Sequence, residues 1–234
     1  PFADYDKLFH PARDWIGADG DYSVALTKDT MLWLFSDTFI GEVRDGKRVN
    51  SRMINNSVAL QHGKDPARAT VRFFHGKSPE GKPAALIRPS DGHGWSWLYD
   101  GVLTKRGLFL FLMQIERSRG NSVFDFKHVG TWLGHVTNPT ETPTKWRITQ
   151  KRIPHETFSA EETRLFGSAM LQDGGFAYIY GTAEPKGQGK SMIVARVAPD
   201  KLDDFTQWHF FDRTNWVAGH TNAARLCPGI ANEY

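Results

Sequence analysis

Four aspartates stand at the turns of strand-like segments. Asp19 and Asp21 precede an apolar run at residues 22–26, and Asp37 follows the run at residues 31–35. Asp100 precedes a third run, "GVLT". Aspartate is common in turns because its side chain hydrogen-bonds the nearby backbone, so each residue alone predicts only a turn. Carboxylates that converge from separate segments can instead hydrolyse a glycosidic bond, one as acid and the other as base or nucleophile.

An internal repeat would position these acids. The segments that begin at Ser23, Asp100 and Gly167 each read as a short apolar strand, a polar turn and a longer apolar strand, and two further strand-like runs follow each of them. Four short strands per unit, separated by turn residues, are typical of an antiparallel meander. Repeated meanders predict an all-β fold, a β-propeller of four-stranded blades. We expect blades at about residues 22–76, 99–150 and 166–212.

Two further segments bear on this architecture. Residues 155–166 are the best candidate for a helix, because Ser159 and Glu162 occupy capping-box positions. At the other end of the sequence, Glu233 and Tyr234 repeat the Asp-Tyr pair that opens the first unit. A propeller closes with at least about four blades. We therefore expect residues 1–234 to form one propeller domain that is incomplete at its C-terminus, with a fourth blade beginning at Glu233.

The propeller geometry predicts where the acids lie. The first strand of each blade is innermost, so residues at its start gather around one mouth of the central channel. Asp19, Asp21 and Asp100 hold such positions, and Glu233 would do so in a fourth blade. Asp37 closes the second strand of the first blade and is expected at the same mouth. The third blade has Gly167 and Ser168 there instead of an acid.

Three motifs in the first blade carry a family resemblance. "GADGDYSVAL", "LWLFSDTFIG" and "MINNSVAL", in that order, resemble the N-terminal blade of the endo-D-arabinanase family of five-bladed propeller glycoside hydrolases. Beyond residue 61 the resemblance is limited to the blade pattern, as in "WLYDGVL" and "FGSAML". It implies five blades, a polysaccharide substrate that could be an arabinan-type furanoside polymer, and an extracellular or periplasmic location. It also implies that Asp19 and Asp37 are the catalytic acids, with Asp21 as the alternative to Asp19.

Aromatic and amide side chains near these acids are candidates for sugar binding. Trp95, Trp97 and Tyr99 directly precede the inner strand of the second blade, where they could stack on sugar rings or pack onto the core of their own blade. Asn55 and Asn56 could bind sugar hydroxyls or end a turn. Asp100 is a further catalytic candidate, although "YDG" is also a plain turn sequence.

Composition and motifs exclude several other functions. The net charge of +3 comes from scattered Lys and Arg residues, which argues against nucleic acid as a partner. The sequence has no HExxH, CxxC or phosphate-loop motif, so we expect neither a metal nor another cofactor. A single cysteine, Cys227, cannot form an intrachain disulfide. The sequence contains no run of eighteen apolar residues, which argues against a membrane span. The alternative to a glycoside hydrolase is a non-catalytic carbohydrate-binding or scaffold propeller.

Overall fold

A computed structural model describes residues 3–120, 122 and 124–231, so Glu233 and Tyr234 lie outside the described residues. The helix and strands, in chain order, are α1 (Ala3–Leu8), β1 (Arg13–Ala18), β2 (Tyr22–Thr27), β3 (Thr30–Phe35), β4 (Thr38–Arg44), β5 (Lys47–Ile54), β6 (Ser57–His62), β7 (Thr70–Phe74), β8 (Gly76–Lys77), β9 (Pro83–Ala84), β10 (Trp95–Thr104), β11 (Gly107–Arg117), β12 (Phe126–Val136), β13 (Ile148–Arg152), β14 (Thr157–Phe158), β15 (Glu162–Asp173), β16 (Phe176–Pro185), β17 (Ser191–Val197), β18 (His209–Phe211) and β19 (Trp216–Val217). Short 3₁₀ turns lie at Pro143–Lys145, Pro199–Lys201, Phe205–Gln207 and His220–Asn222.

Three antiparallel meanders dominate the fold, and they confirm the all-β prediction. The first sheet has the strand order β2-β3-β6-β7, the second β10-β11-β12-β13 and the third β14-β15-β16-β17-β18-β19. Neighbouring strands in these sheets pair antiparallel. The three sheets follow one another along the chain, and β10 packs against both β2 and β15. The number of blades and the extent of the domain remain predictions.

The side chains of strand β11 alternate between two apolar clusters, one on each face of the second sheet. Successive side chains of a strand point to opposite faces. Leu108, Leu110 and Leu112 therefore join the apolar cluster shared with the first sheet, while Phe109 and Phe111 join the cluster shared with the third sheet. All five are fully buried. The second sheet is thus covered on both faces, which fixes the position of its inner strand, β10, between the other two sheets.

The first repeat contains a sheet that the sequence analysis did not predict. Strands β4 and β5 form a hairpin outside the first meander and pair with β1 in the order β1-β4-β5. The hairpin turns at Asp45-Gly46, and both residues have positive φ, 51° and 71°. Asp-Gly between two strands is a strong signal for such a two-residue turn. The third strand of the meander consequently begins at Ser57, and not at residue 53 as the repeat pattern predicted.

The prediction of a helix at residues 155–166 is wrong. The segment forms β14 and the start of β15, which pair in a hairpin. The Ser159 Oγ accepts hydrogen bonds from the backbone N–H groups of Glu161 (3.2 Å) and Glu162 (3.0 Å), and the Ser159 N–H donates to the Glu162 carbonyl (3.1 Å). The hydroxyl of Ser159 and its spacing to Glu162 suggested a capping box, but they belong to a tight turn. Serine suits either structure because its side chain hydrogen-bonds nearby backbone groups.

Gly167 lies within β15, which begins at Glu162, and the structure explains why the third repeat has no acid at this predicted site position. Its φ is +106°, and a Cβ atom there would lie 2.2 Å from the ring of Phe111. A side chain at this position would collide with a fully buried ring of the second sheet. Close packing between β15 and the second sheet therefore requires glycine here.

Candidate functional site

Asp37 is the centre of the candidate site. It lies between β3 and β4 and is half-buried. Its Oδ1 accepts hydrogen bonds from the indole Nε1–H of Trp97 (2.8 Å) and from the Nδ2–H of Asn55 (3.2 Å). The structure thus brings together three predicted site residues that are far apart in sequence.

The surroundings of Asp37 change its acidity. Burial raises the pKa of its carboxyl above the usual value, while the hydrogen bonds from Trp97 and Asn55 and the positive charge of Arg117 act in the opposite direction. Burial dominates because removing a carboxylate from water disfavours its charged form. A carboxyl that keeps its proton to higher pH has the property required of a general acid.

Buried hydroxyl groups hold the segment that carries Asp37. The Ser36 hydroxyl donates to the Leu98 carbonyl on β10 (3.3 Å). On the other side, the Thr38 hydroxyl donates to the Ser36 carbonyl (2.8 Å) and is hydrogen-bonded to the Ser57 hydroxyl (2.8 Å). Ser36, Thr38 and Ser57 are almost fully buried. Asp37 is therefore anchored from both sides, and its position relative to β10 is fixed.

The turn that contains Asp19 is hydrogen-bonded, through its backbone, to the turn that contains Asp37. The Asp19 N–H donates to the Asp37 carbonyl (3.0 Å), and the Ser36 N–H donates to the Asp19 carbonyl (2.9 Å). The side chains of Asp19 and Asp21 are exposed, and both residues line a cavity of about 530 Å³ together with Phe9 and other aromatic residues. The two turns meet as the repeat pattern predicts, although the cavity beside Asp19 is not lined by Asp37, Asn55 or Trp97.

Asp100 links two sheets. Its Oδ1 accepts the backbone N–H of Gly101 (2.7 Å), and its Oδ2 accepts the N–H of Met170 on β15 (2.7 Å). Burial raises its pKa, and the two backbone hydrogen bonds act against that rise. Its Oδ2 therefore joins β10 to β15, while its Oδ1 is bonded within β10. The catalytic role considered from sequence stays a prediction.

The three predicted aromatic residues have different environments. Trp95 and Trp97 are half-buried and lie edge to face, with ring centroids 6.3 Å apart. Phe126 packs edge-on against Trp97 at 5.0 Å, and the Arg117 guanidinium lies 5.6 Å from the centroid of the Trp95 ring. Tyr99 is only 2% exposed and belongs to the core. This corrects its predicted stacking role, because protein atoms cover its ring.

Asn56 is also structural, in contrast to its neighbour Asn55. It is fully buried, and its Nδ2 donates to the carbonyls of Ile87 (2.7 Å) and Ser96 (2.8 Å). Its Oδ1 accepts the Ile87 N–H (2.8 Å). The amide is fully occupied by backbone groups, which corrects the prediction that it binds a sugar hydroxyl. Asn56 instead joins β10 to the segment that contains Ile87.

His128 and Glu156 are half-buried titratable residues, each with a buried polar atom, that the sequence analysis missed. The Glu156 Oε2 accepts the Thr131 N–H (2.9 Å), while its Oε1 is buried without a partner among the described residues. Burial raises the pKa of Glu156 to about 7 and lowers the pKa of His128 to about 4. His128 Nδ1 likewise has no partner among the described residues. A histidine within the apolar pattern of β12 is the sequence signal that could have indicated His128.

The buried carboxyl of Glu156 predicts a specific pH dependence of stability. Its pKa is raised from 4.5 to about 7, so the folded state retains the proton over a pH range in which the unfolded chain loses it. This stabilisation is complete below pH 4.5 and is lost as the pH rises through 7. We expect Glu156→Gln to match the parent protein near pH 4 and to be more stable near pH 8, measured as the difference in melting temperature.

The matched control for this measurement is Glu141→Gln, because Glu141 is exposed. Its difference in melting temperature from the parent protein should stay nearly constant over the same range. An equally flat difference for Glu156→Gln would show that the Glu156 carboxyl is not held in its neutral form.

The two side chains that donate to Asp37 line two different cavities, although Asp37 itself lines neither. Trp97 lines a cavity of about 300 Å³ together with Phe126, His128 and Lys190. Asn55 lines a different cavity of about 540 Å³, and Trp95 is also part of its wall. The carboxyl is therefore linked to two recesses, each with an aromatic residue in its wall.

Two further features of the described residues bear on function. Within residues 3–120, 122 and 124–231, no three or more His, Cys, Asp or Glu side chains are grouped so that they could hold a metal ion. In the same part of the chain, no helix combines the length and apolar character needed to cross a membrane.

Comparisons with known proteins give a family and a fold. The family model described as "Domain of unknown function (DUF5005)" matches residues 3–233. No curated protein matches the chain. A crystal structure of a "putative hydrolase" from Bacteroides ovatus ATCC 8483 superposes with a TM-score of 0.71 at 19% identity. The match covers 95% of this chain and 60% of the other, so the chain spans less than two thirds of the protein whose fold it shares.

Proposed function

Because this chain belongs to the DUF5005 family, whose description states no activity, we propose a function from the site itself: hydrolysis of glycosidic bonds in a polysaccharide, with Asp37 as the general acid. The observation that carries this proposal is the half-buried Asp37 carboxyl, which accepts hydrogen bonds from Trp97 and Asn55, two side chains that each line a cavity. The chain shares its fold with a protein described as a "putative hydrolase", and this supports hydrolysis as the class of reaction.

The proposed chemistry needs two carboxyl groups. Asp37, whose pKa is raised by burial, protonates the oxygen of the leaving sugar as the glycosidic bond breaks. A second carboxylate either attacks the anomeric carbon or activates a water molecule. Asp19 is the first candidate because its backbone is hydrogen-bonded to that of Asp37, and Asp21 is the alternative. Carboxyl groups about 5 to 5.5 Å apart produce retention, and groups roughly 6.5 to 9.5 Å apart produce inversion.

The finer parts of the proposal concern the substrate and the whole protein. The motifs around Asp19, Asp37 and Asn55 resemble those of endo-D-arabinanases, which makes an arabinan-type furanoside polymer one candidate substrate. We propose that the three meanders are blades of a five-bladed propeller in the complete protein. We also propose that it acts outside the cell or in the periplasm, where polysaccharides are accessible.

The exposure of Asp19 and Asp21 favours a second candidate function. An enzyme needs its second carboxylate close to the bond that is broken, whereas these side chains are exposed beside a different cavity. A non-catalytic carbohydrate-binding protein needs only the aromatic and amide groups around Asp37. The two functions differ in whether a bound polysaccharide is cut.

A screen distinguishes these functions. The protein is incubated with plant, bacterial and mycobacterial-type polysaccharides, and both binding and the release of new reducing ends are measured. Release from at least one polysaccharide supports the hydrolase. Binding without release supports the carbohydrate-binding protein. Absence of both would overturn the two proposals together.

A further inference from the structure

The cavity beside Asn55 is positively charged. Its volume is about 540 Å³, and Arg52 and Arg88 lie in its wall with exposed side chains. Neither guanidinium forms an ion pair or side-chain hydrogen bond with any described residue. The lining residues, all of which are described, include no Asp or Glu. The positive charge of this cavity is therefore not neutralised from within.

The same wall holds buried polar atoms that lack partners. The indole Nε1 of Trp95 and the hydroxyl of Ser96 are buried without a hydrogen-bond partner among the described residues, and both residues line the cavity. Ser96 is only 1% exposed. An indole N–H and a guanidinium can only donate, and a hydroxyl can donate or accept. Buried polar groups without partners are rare in native proteins, but these two atoms are closed to solvent, so the donors that a ligand can reach are the exposed guanidiniums of Arg52 and Arg88.

Acceptor groups with negative charge complement such a wall. A carboxylate or sulfate offers several oxygens without donating, and an arginine guanidinium binds these planar or multidentate anions in a fork geometry. A neutral sugar hydroxyl also accepts hydrogen bonds, but it leaves both arginine charges without a counter-charge. The chemistry of the wall therefore favours an anionic group.

The position of the cavity connects it to the proposed acid. Asn55 lines the cavity and also donates to Asp37 Oδ1 (3.2 Å). Trp95 in the same wall carries the guanidinium of Arg117 over its ring, 5.6 Å from the centroid. A sugar bound in this cavity would therefore contact the same asparagine that donates to Asp37.

We propose that this cavity binds a carboxylate or sulfate substituent of the substrate, so that the polysaccharide on which the protein acts is an acidic one. The inference rests on the proposed function, since it takes the cavity to be a subsite next to Asp37.

The test compares charged polysaccharides with matched neutral forms. The probes are polygalacturonic acid with its carboxyl-reduced form, and a carrageenan with its desulfated form, measured by calorimetry. We expect at least one charged member to bind ten-fold or more tightly than its neutral form, with an affinity that falls as salt is added. Equal binding of the neutral forms, or no binding of either charged probe, would overturn the proposal.

Variants assign the binding to this cavity. We expect Arg52→Gln with Arg88→Gln to weaken binding of the charged probe at least ten-fold. The control is Arg68→Gln with Arg147→Gln, which removes the same charge from exposed positions outside the cavity. An equal loss in both double variants would show that only net charge matters and would overturn the proposal. If the first double variant does not fold, the comparison of charged and neutral probes on the parent protein still decides.

The outcome is separable from that of the proposed function. Binding of a charged polysaccharide that is never cut would retain this cavity and reject the hydrolase. Asp37-dependent cutting of a neutral polysaccharide, with no effect of the Arg52 and Arg88 substitutions, would retain the hydrolase and reject the acidic substrate.

Discussion

Asp37→Asn is expected to lower the release of reducing ends at least about 10²-fold, because general acid catalysis contributes roughly 10² to 10⁴ to such reactions. An asparagine amide cannot donate the proton that the leaving oxygen needs. The substitution is nearly isosteric, and the amide oxygen can still accept from Trp97 Nε1 and Asn55 Nδ2. We therefore expect binding of the polysaccharide and the melting temperature to change little while turnover is lost.

The matched control for this experiment is Asp45→Asn. Asp45 is exposed in the β4–β5 turn with φ of 51°, a conformation that asparagine also accepts. Its turnover should equal that of the parent protein. Full turnover in Asp37→Asn would remove Asp37 from the mechanism. Loss of turnover together with loss of folding would instead assign Asp37 a structural role.

The repeat pattern was informative because it depends on local sequence. Alternating apolar residues between turn residues indicate strands, and their recurrence places the three meanders along the chain. The meeting of the Asp19 and Asp37 turns followed from the same pattern, since adjacent antiparallel strands begin and end at one edge. The β4–β5 hairpin was not predicted, although Asp45-Gly46 carried the signal for its turn.

The roles of individual site residues could not be predicted in the same way. Asp37 and Asp100 have similar turn sequences, yet both oxygens of Asp100 accept backbone N–H groups. That difference arises because β10 lies between two other sheets, which no local pattern specifies. Glu156 was missed for a related reason. It lies in the loop after β13 and is bonded to Thr131 on β12, and no local pattern specifies that contact.

Asn55 and Asn56 show the limit most clearly, because adjacent identical residues have opposite roles. The two residues form the connection between β5 and β6, where one amide reaches Asp37 and the other enters the core. Sequence alone could place both near the predicted mouth of the propeller. It could not distinguish the amide that remains half-buried at the site from the one that is fully buried.

Asn56→Ala is expected to destabilise the protein by about 3 kcal/mol or more, since each buried polar group left without a partner costs about 1–3 kcal/mol. The substitution leaves three backbone groups without their present partner: the N–H and carbonyl of Ile87 and the carbonyl of Ser96. For a chain of this size, that loss corresponds to a fall of roughly 6–12 °C in melting temperature. Urea unfolding followed by circular dichroism measures the free energy directly.

The control is Asn55→Ala, which removes an identical amide one residue away. Asn55 is half-buried and donates to Asp37, so its loss should cost about 1 kcal/mol, the net value of an ordinary hydrogen bond. A comparable loss in both variants would show that burial of the Asn56 amide does not dominate its contribution. A much larger loss for Asn56→Ala would establish that this amide holds β10 against the segment around Ile87, and with it the wall of the cavity that contains Ser96.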